Sequence, residues 1–399
     1  MGPRFGVNLW GLGRYTHAVR SSGGRMMKVQ PAAFLRTTLP LDLSRLEVLD
    51  SGRYHSIWLP DHMVSFWPES IWSPEFTDLA TVSASPHRHL DAMVVAGAAA
   101  ALTKNVPIAT SVVDTVRRHP SLLAQSALTI QHLSRGRFIL GLGCGETENT
   151  VPYGFDFAKP VARYEEALRV IKMLWASDGP IDFSGQFYTL RHARLDTEPY
   201  EGRFPPIWGA GSGPRVLGII GRHCDGWWPA GAYSPEDYAQ KLKAVRDAAE
   251  QAGRDPMAIT PAMIWTCLIA DDDAELATIL EAPLIRSYYV MQTPAAMMRQ
   301  FGFEHPLGDD WRGYQDITPE ALPRERVLAM LKKVNIDSLL KIVPHGNSKQ
   351  IAGILKGYIE AGLRVPKILD YGSMAGLSFA ARSAQKVQNA EDELMRLLG

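Results

Sequence analysis

The chain has 399 residues, and its 42 lysines and arginines balance 42 aspartates and glutamates. No net field draws nucleic acid or an anionic membrane, so small-molecule chemistry is the expected class of function and a nucleic-acid partner is not. Three widely spaced cysteines, Cys144, Cys224 and Cys267, form neither a paired framework nor a metal-binding spacing, which points to a reducing compartment and no metal.

The amino terminus lacks the basic region, apolar run and cleavage site of a secretory signal. No stretch of about 18 uninterrupted apolar residues follows. A cytoplasmic protein without integral membrane association is therefore expected.

In chain order, Arg4–Trp10 reads as a first strand and Leu41–Leu49 as part of the helix after it. Ser56–Pro60 is a second strand that ends in Asp61 and His62, and Val106–Val113 a third. A helix over Pro120–Leu133 follows, with proline at its first position. Arg137–Gly143 is the fourth strand and Val161–Trp175 its helix. A hairpin with Ser184 and Gly185 as its turn interrupts the rhythm. Pro205–Pro214 gives a fifth strand and a glycine loop, and Asp225–Gly231 a sixth strand. The next helix is strongly signalled, with Ser234 as N-cap and Pro235 next. Ile259–Ala270 is a seventh strand, Ser348–Gly362 a late helix and Val365–Tyr371 an eighth strand.

Eight apolar strands alternating with helices predict one (β/α)8 TIM barrel spanning residues 1–399, with a doubly wound open sheet as the other arrangement. Two segments exceed ordinary connections, about 63–90 and 281–326, and read as lids or substrate-side excursions.

In a βα barrel the reactive groups stand where strands end. The candidates are Asp61 and His62, Ser111 and Asp114, Cys144 and Glu146, and the backbone of Gly209–Gly213. The run GLGCGE, Gly141–Glu146, is not a dinucleotide fingerprint, and its carboxylate would repel a pyrophosphate. Its glycines would let a flat ring lie against the backbone with Glu146 turned toward it; a helix-capping Glu146 fits the spacing as well. His62 suits hydrogen-bond or proton donation to a carbonyl oxygen, or equally a satisfied interior histidine.

GAGSGP ahead of a helix offers free N–H groups and a positive dipole end, a phosphate cradle that lacks the lysine of a P-loop. Phe66, Trp67 and Trp72 lie in an aromatic stretch that would grip an apolar substrate and exclude water, or pack against a second subunit. Neither G-x-S-x-G nor H-E-x-x-H is present.

Taken together, WLPDH, the run from Ala109 to Glu146, PPIWGAGSGPRVLGIIGRHCDGWW and the late AGLR resemble the luciferase-like flavin- or deazaflavin-dependent oxidoreductases. The likeness runs along the whole chain. It is greatest to the coenzyme F420-dependent branch, which includes sugar-phosphate dehydrogenases, and within that branch to its ketoreductases, even in the excursion Glu304–Pro319.

The resemblance implies a barrel that holds the deazaflavin at its carboxyl face, usually in a homodimer. His62 and Glu146 match the residues flanking the reactive ring carbon and the substrate oxygen, and Asp61 precedes them in the same motif. Ser111 and Val112 match a pair joined by a cis peptide. Cys144, Gly145 and Asn149 match positions that line the cofactor, and Gly211, Ser212 and Gly213 match the loop that receives its phosphate. Cys144 stands where the family often has threonine or valine. Phe66 and Trp67 both lie near the offset of the ring-covering aromatic.

The implied activity is hydride transfer between coenzyme F420 and a ketone or alcohol carbon of an apolar, lipid-like substrate. An FMN-dependent monooxygenase and a non-catalytic deazaflavin- or lipid-binding protein are the alternatives.

Overall fold

The computed structural model describes residues 27–231 and 234–399. Eight strands, numbered here β1 to β8, form the frame: Ala33–Phe34, Ile57–Leu59, Ile108–Thr110, Phe138–Gly143, Ile207–Gly209, Gly226–Trp227, Thr260–Ile269 and Val365–Asp370. Each pairs with the next in parallel. The Gln30 N–H donates to the Arg364 carbonyl at 3.0 Å and Ala32 N–H to Pro366 at 2.9 Å, which joins β8 to β1 and closes the barrel. Closure excludes the open-sheet arrangement.

The expected first strand, Arg4–Trp10, lies outside the described residues. The position beside β2 belongs instead to Ala33–Phe34, two residues too short to show a strand period in sequence. The helix expected over Leu41–Leu49 covers only Arg45–Leu49. In the hairpin the turn runs over residues 185–188, because the buried Glu166 carboxylate accepts the N–H groups of Gln186, Phe187 and Tyr188, each at 2.8 Å.

Alternation along each strand sorts the side chains into two layers. Ile57 and Leu59 join the core under the helices, while Trp58 enters the barrel with Ala109, Ile139, Trp208, Trp228 and Ala262. Trp58 and Trp228 stack 3.8 Å apart at 6°. Helix starts follow their signals: Ser234 Oγ accepts the Asp237 N–H, and Asn347 with Gln350 forms a reciprocal capping box. A final helix, Leu377–Leu398, is not evident in sequence because its buried face carries Lys386 and Glu391, satisfied by Glu275 and Arg53.

The two excursions meet each other above the carboxyl ends of the strands and share a core of their own. Phe66, Ile71 and Leu79 from the first pack with Leu284, Tyr288, Met298 and Ile317 from the second. His87 of the first joins Glu320 of the second at 2.7 Å. Their segments differ from the expected ones at the later excursion, where helices run from Asp273 to Ile342.

Packing between the helices Pro214–His223 and Pro235–Gln251 leaves no room at Gly221, where an added Cβ would stand 2.2 Å from the Val245 carbonyl oxygen. At Gly218, on the same helix, it would meet only the mobile end of Arg222 at 3.2 Å. Gly218→Ala should therefore be neutral or gain up to about 1 kcal/mol from helix propensity. Gly221→Ala should lose about 1–3 kcal/mol from overpacking. Urea unfolding of the two variants checks the contrast, and equal stabilities would contradict this close approach.

Candidate active site

Strand parity decides which of two adjacent polar residues reaches the mouth. Following β2, Asp61 keeps the outward direction of Ile57 and Leu59, whereas His62 keeps the inward direction of Trp58. Asp61 is buried and bound by Arg117 and by Arg118, the latter at 2.6 Å, so its carboxylate is spent on a structural clamp rather than gathered with the other candidates. The Arg117 guanidinium also binds Asp114, and Arg118 binds Asp91 at 2.8 Å.

His62, Glu146 and Asn149 do come together. Asn149, nearly fully buried, accepts the Met63 N–H at 2.7 Å and the Val64 N–H at 3.3 Å on its Oδ1. Two backbone donors fix the amide orientation, so Nδ2 faces the site. There it lies 3.1 Å from His62 Nδ1, 3.2 Å from Glu146 Oε2 and 3.0 Å from Glu148 Oε1. With Asn149 Nδ2 donating to it, His62 Nδ1 is the acceptor in the tautomer that carries its hydrogen on Nε2. Nδ1 stands 3.5 Å from Glu146 Oε2.

The loop that presents Glu146 is made rigid locally. Gly145 adopts φ +86°, a conformation natural only to glycine. Thr150 Oγ1 donates to the Glu146 carbonyl at 2.6 Å, and Thr147 Oγ1 ties the loop to Gln315 of the second excursion. The donor atoms of His62, Glu146 and Glu148 lie within 4.8 Å of one another, a separation a cation could bridge. The Asn149 N–H groups point at the same lone pairs a cation would take, which favours shared protons there.

Ser111 and Val112 are joined by a cis peptide. Between the pairs Ala109 with Ile139 and Val113 with Leu142, the third strand's segment advances four residues while its partner advances three, so one residue bulges out here. Trp228 Nε1 donates to Ser111 Oγ at 3.1 Å, anchoring the bulge to the barrel interior. The Cys144 thiol is pushed up to about 12 by burial and stays protonated. A Cβ at Gly143 would come within 2.9 Å of Val112, so the floor is bare backbone by necessity.

Gly211, at φ +131°, and Ser212 lead into Gly213, the N-cap of the ten-residue helix Pro214–His223. The Gly211 carbonyl accepts the Trp227 Nε1–H at 2.9 Å. Free N–H groups at this helix start and the nearby Arg215 make the loop attractive to a phosphate.

Of the aromatic candidates, Phe66 meets the His62 ring edge-on at 5.1 Å. Trp67 stacks on Tyr288 in the upper core, and Trp72 donates to the Ser83 carbonyl at 2.7 Å. Three features escaped the sequence. Glu148 gave no signal because its neighbours in the loop absorbed every motif. Arg36, which continues the inward direction of Phe34 at the end of β1, was hidden with its short strand. Tyr314 and Tyr371 reach the site only through tertiary packing, Tyr314 edge-on to Phe66 at 5.5 Å and Tyr371 with its hydroxyl pushed up to about 12 by burial.

A family model described as luciferase-like monooxygenase matches residues 47–364. A phthiodiolone/phenolphthiodiolone dimycocerosates ketoreductase of Mycobacterium tuberculosis is 35% identical over 347 residues, 86% of this chain and 90% of the relative. An F420-dependent glucose-6-phosphate dehydrogenase of Mycolicibacterium smegmatis is 36% identical over 182 residues, 44% of this chain and 53% of that protein. Among solved structures, an F420-dependent secondary alcohol dehydrogenase in complex with an F420-acetone adduct superposes with a TM-score of 0.62 at 21% identity, over 91% of this chain and 99% of the other. The extent of the model match and of the ketoreductase alignment decides the matter: this chain belongs to the luciferase-like family.

Proposed function

We propose that the protein is a coenzyme F420-dependent ketoreductase or dehydrogenase acting on an apolar, lipid-like ketone or alcohol. The observation that carries this is the group of His62, Glu146 and Asn149 at the barrel mouth, under an aromatic upper layer, in a chain 35% identical to a phthiodiolone/phenolphthiodiolone dimycocerosates ketoreductase.

The residues present fit a flat, phosphate-bearing cofactor. Gly143 and Gly145 would leave backbone exposed to a ring, Ser111, Val112 and Cys144 would stand beside it, and Gly211, Ser212 and Gly213 would hold the phosphate. The bound deazaflavin would supply hydride to, or take it from, the substrate carbon. His62 Nε2–H and Glu146 would orient the substrate oxygen and exchange its proton. Phe66 restrains the His62 ring, and the shared core of the excursions keeps water from the reacting atoms.

A homodimer accords with the outer surface. The neighbouring helices Ala92–Leu102 and Pro120–Leu133 expose Val94, Leu102, Leu122 and Leu133, a set of large apolar side chains that a second copy would cover. Among the described residues no helix is long and apolar enough to cross a membrane.

Three measurements test these readings. Fluorescence titration should give micromolar or tighter binding of coenzyme F420 and negligible binding of FMN; the reverse preference would favour a flavin monooxygenase and make oxygen uptake the next assay. His62→Ala should lower kcat about 100-fold to 10,000-fold with little change in cofactor affinity, and wild-type turnover would remove His62 from the chemistry. Light scattering should report a dimer that Leu122→Asp converts to monomer; a monomeric wild type would contradict the dimer.

A further inference from the structure

Glu148 has no exposed surface, and the reading above gives it no task. Asn149 donates to its Oε1, while Oε2 has no donor partner although it is buried. Its carboxyl shares the space within 4.8 Å with Glu146 and His62. Two carboxyl groups so placed cannot both remain ionised without a cation between them. The guanidinium whose charge reaches Glu148 is that of Arg117, already committed to Asp61 and Asp114. From the second excursion Tyr314 brings a hydroxyl that is neutral at ordinary pH. Burial first, and the Glu146 charge second, push the Glu148 carboxyl up to about 10. A protonated Glu148 gains a donor O–H, and the Glu146 carboxylate, within hydrogen-bonding reach of the Glu148 side chain, is the acceptor beside it.

We propose that Glu146 and Glu148 hold one proton between them, and that Glu148 is the positioning residue that supplies it to Glu146 during turnover. The destination of the proton rests on the ketone-reduction reading. Hydride addition forms the new C–H bond and moves the carbonyl π pair to oxygen. Glu148 passes its proton to Glu146 and Glu146 hands it on to that oxygen, so Glu148 is left ionised beside the Glu146 carboxylate only until a proton re-enters. One proton is consumed for each hydride, and Glu146 ends as the carboxylate it was. Because the Glu146 side chain is 38% exposed, water can restore the Glu148 proton through it once product leaves.

The test uses wild type and Glu148→Gln, which keeps the shape and the donor but carries no transferable proton. Infrared spectra of protein labelled with carbon-13 glutamate should show a protonated carboxyl band near about pH 8 in wild type, absent from the variant. The fold favours the neutral acid, so wild type has this stabilisation in full below its ordinary value of 4.5 and loses it as pH rises toward about 10. The Tm of Glu148→Gln should therefore rise relative to wild type across that window.

In turnover, Glu148→Gln should lower kcat about 100-fold with KM held, and move the alkaline limb of kcat/KM down by about two pH units. Absence of the wild-type band overturns the shared proton even if the variant fails to fold. A band with an unmoved pH profile overturns the supply role. A wild type that shows the band yet binds no deazaflavin would sink the cofactor reading alone.

Discussion

The structure depends on fitting three indoles inside a barrel of eight strands. Trp58, Trp208 and Trp228 fill the interior below the mouth, and their volume is matched by strands that turn small residues inward. At Gly226 an added Cβ would stand 2.5 Å from the Trp208 ring; at Gly141 it would stand 1.8 Å from the Thr110 carbonyl oxygen and 3.0 Å from Trp58. The plug and the glycines therefore require each other, as close packing demands. This explains why the glycine-rich run before Glu146 is a structural requirement first. Its lower glycine admits the tryptophans and its upper ones bare the backbone of the site.

The plug also fixes the site's floor. Trp228 holds Ser111 from below, and the extra residue in that strand segment lifts the Ser111–Val112 peptide toward the mouth. Polarity then rises layer by layer: indoles at the centre, a bulge of backbone above them, titratable groups above that. The outer clamp of Asp61 with Arg117 and Arg118 holds the segment after β2, so His62 enters the mouth with its direction already set. Rigid support of this kind holds one histidine and one carboxylate together in advance, which is what the proposed action on a substrate oxygen requires.

Much of this was legible because it follows a period. Buried strands and helix caps repeat a local rule, and the motif around Glu146 names its own loop. What was not legible depends on contacts between distant segments. Strand β1 is two residues long and is defined only by its neighbours β2 and β8. The last helix conceals its buried face because Lys386 and Glu391 find partners far away in sequence. Asp61 looked like a site residue beside His62, and only the arginines after the third strand show that its charge is already used.

Glu148 is the clearest case of the limit. Its sequence neighbours make it one polar residue among several in a surface-like loop, and nothing in composition marks it as buried. Asn149, which donates to it there, has its amide held by the backbone of Met63 and Val64, so that the first excursion meets the loop after β4. A carboxyl placed there must either find a cation or keep its proton, and the arginine in reach is already bound to two aspartates. The structural clamp and the protonated acid are thus linked: by taking the guanidinium of Arg117, Asp61 and Asp114 leave Glu148 neutral beside Glu146.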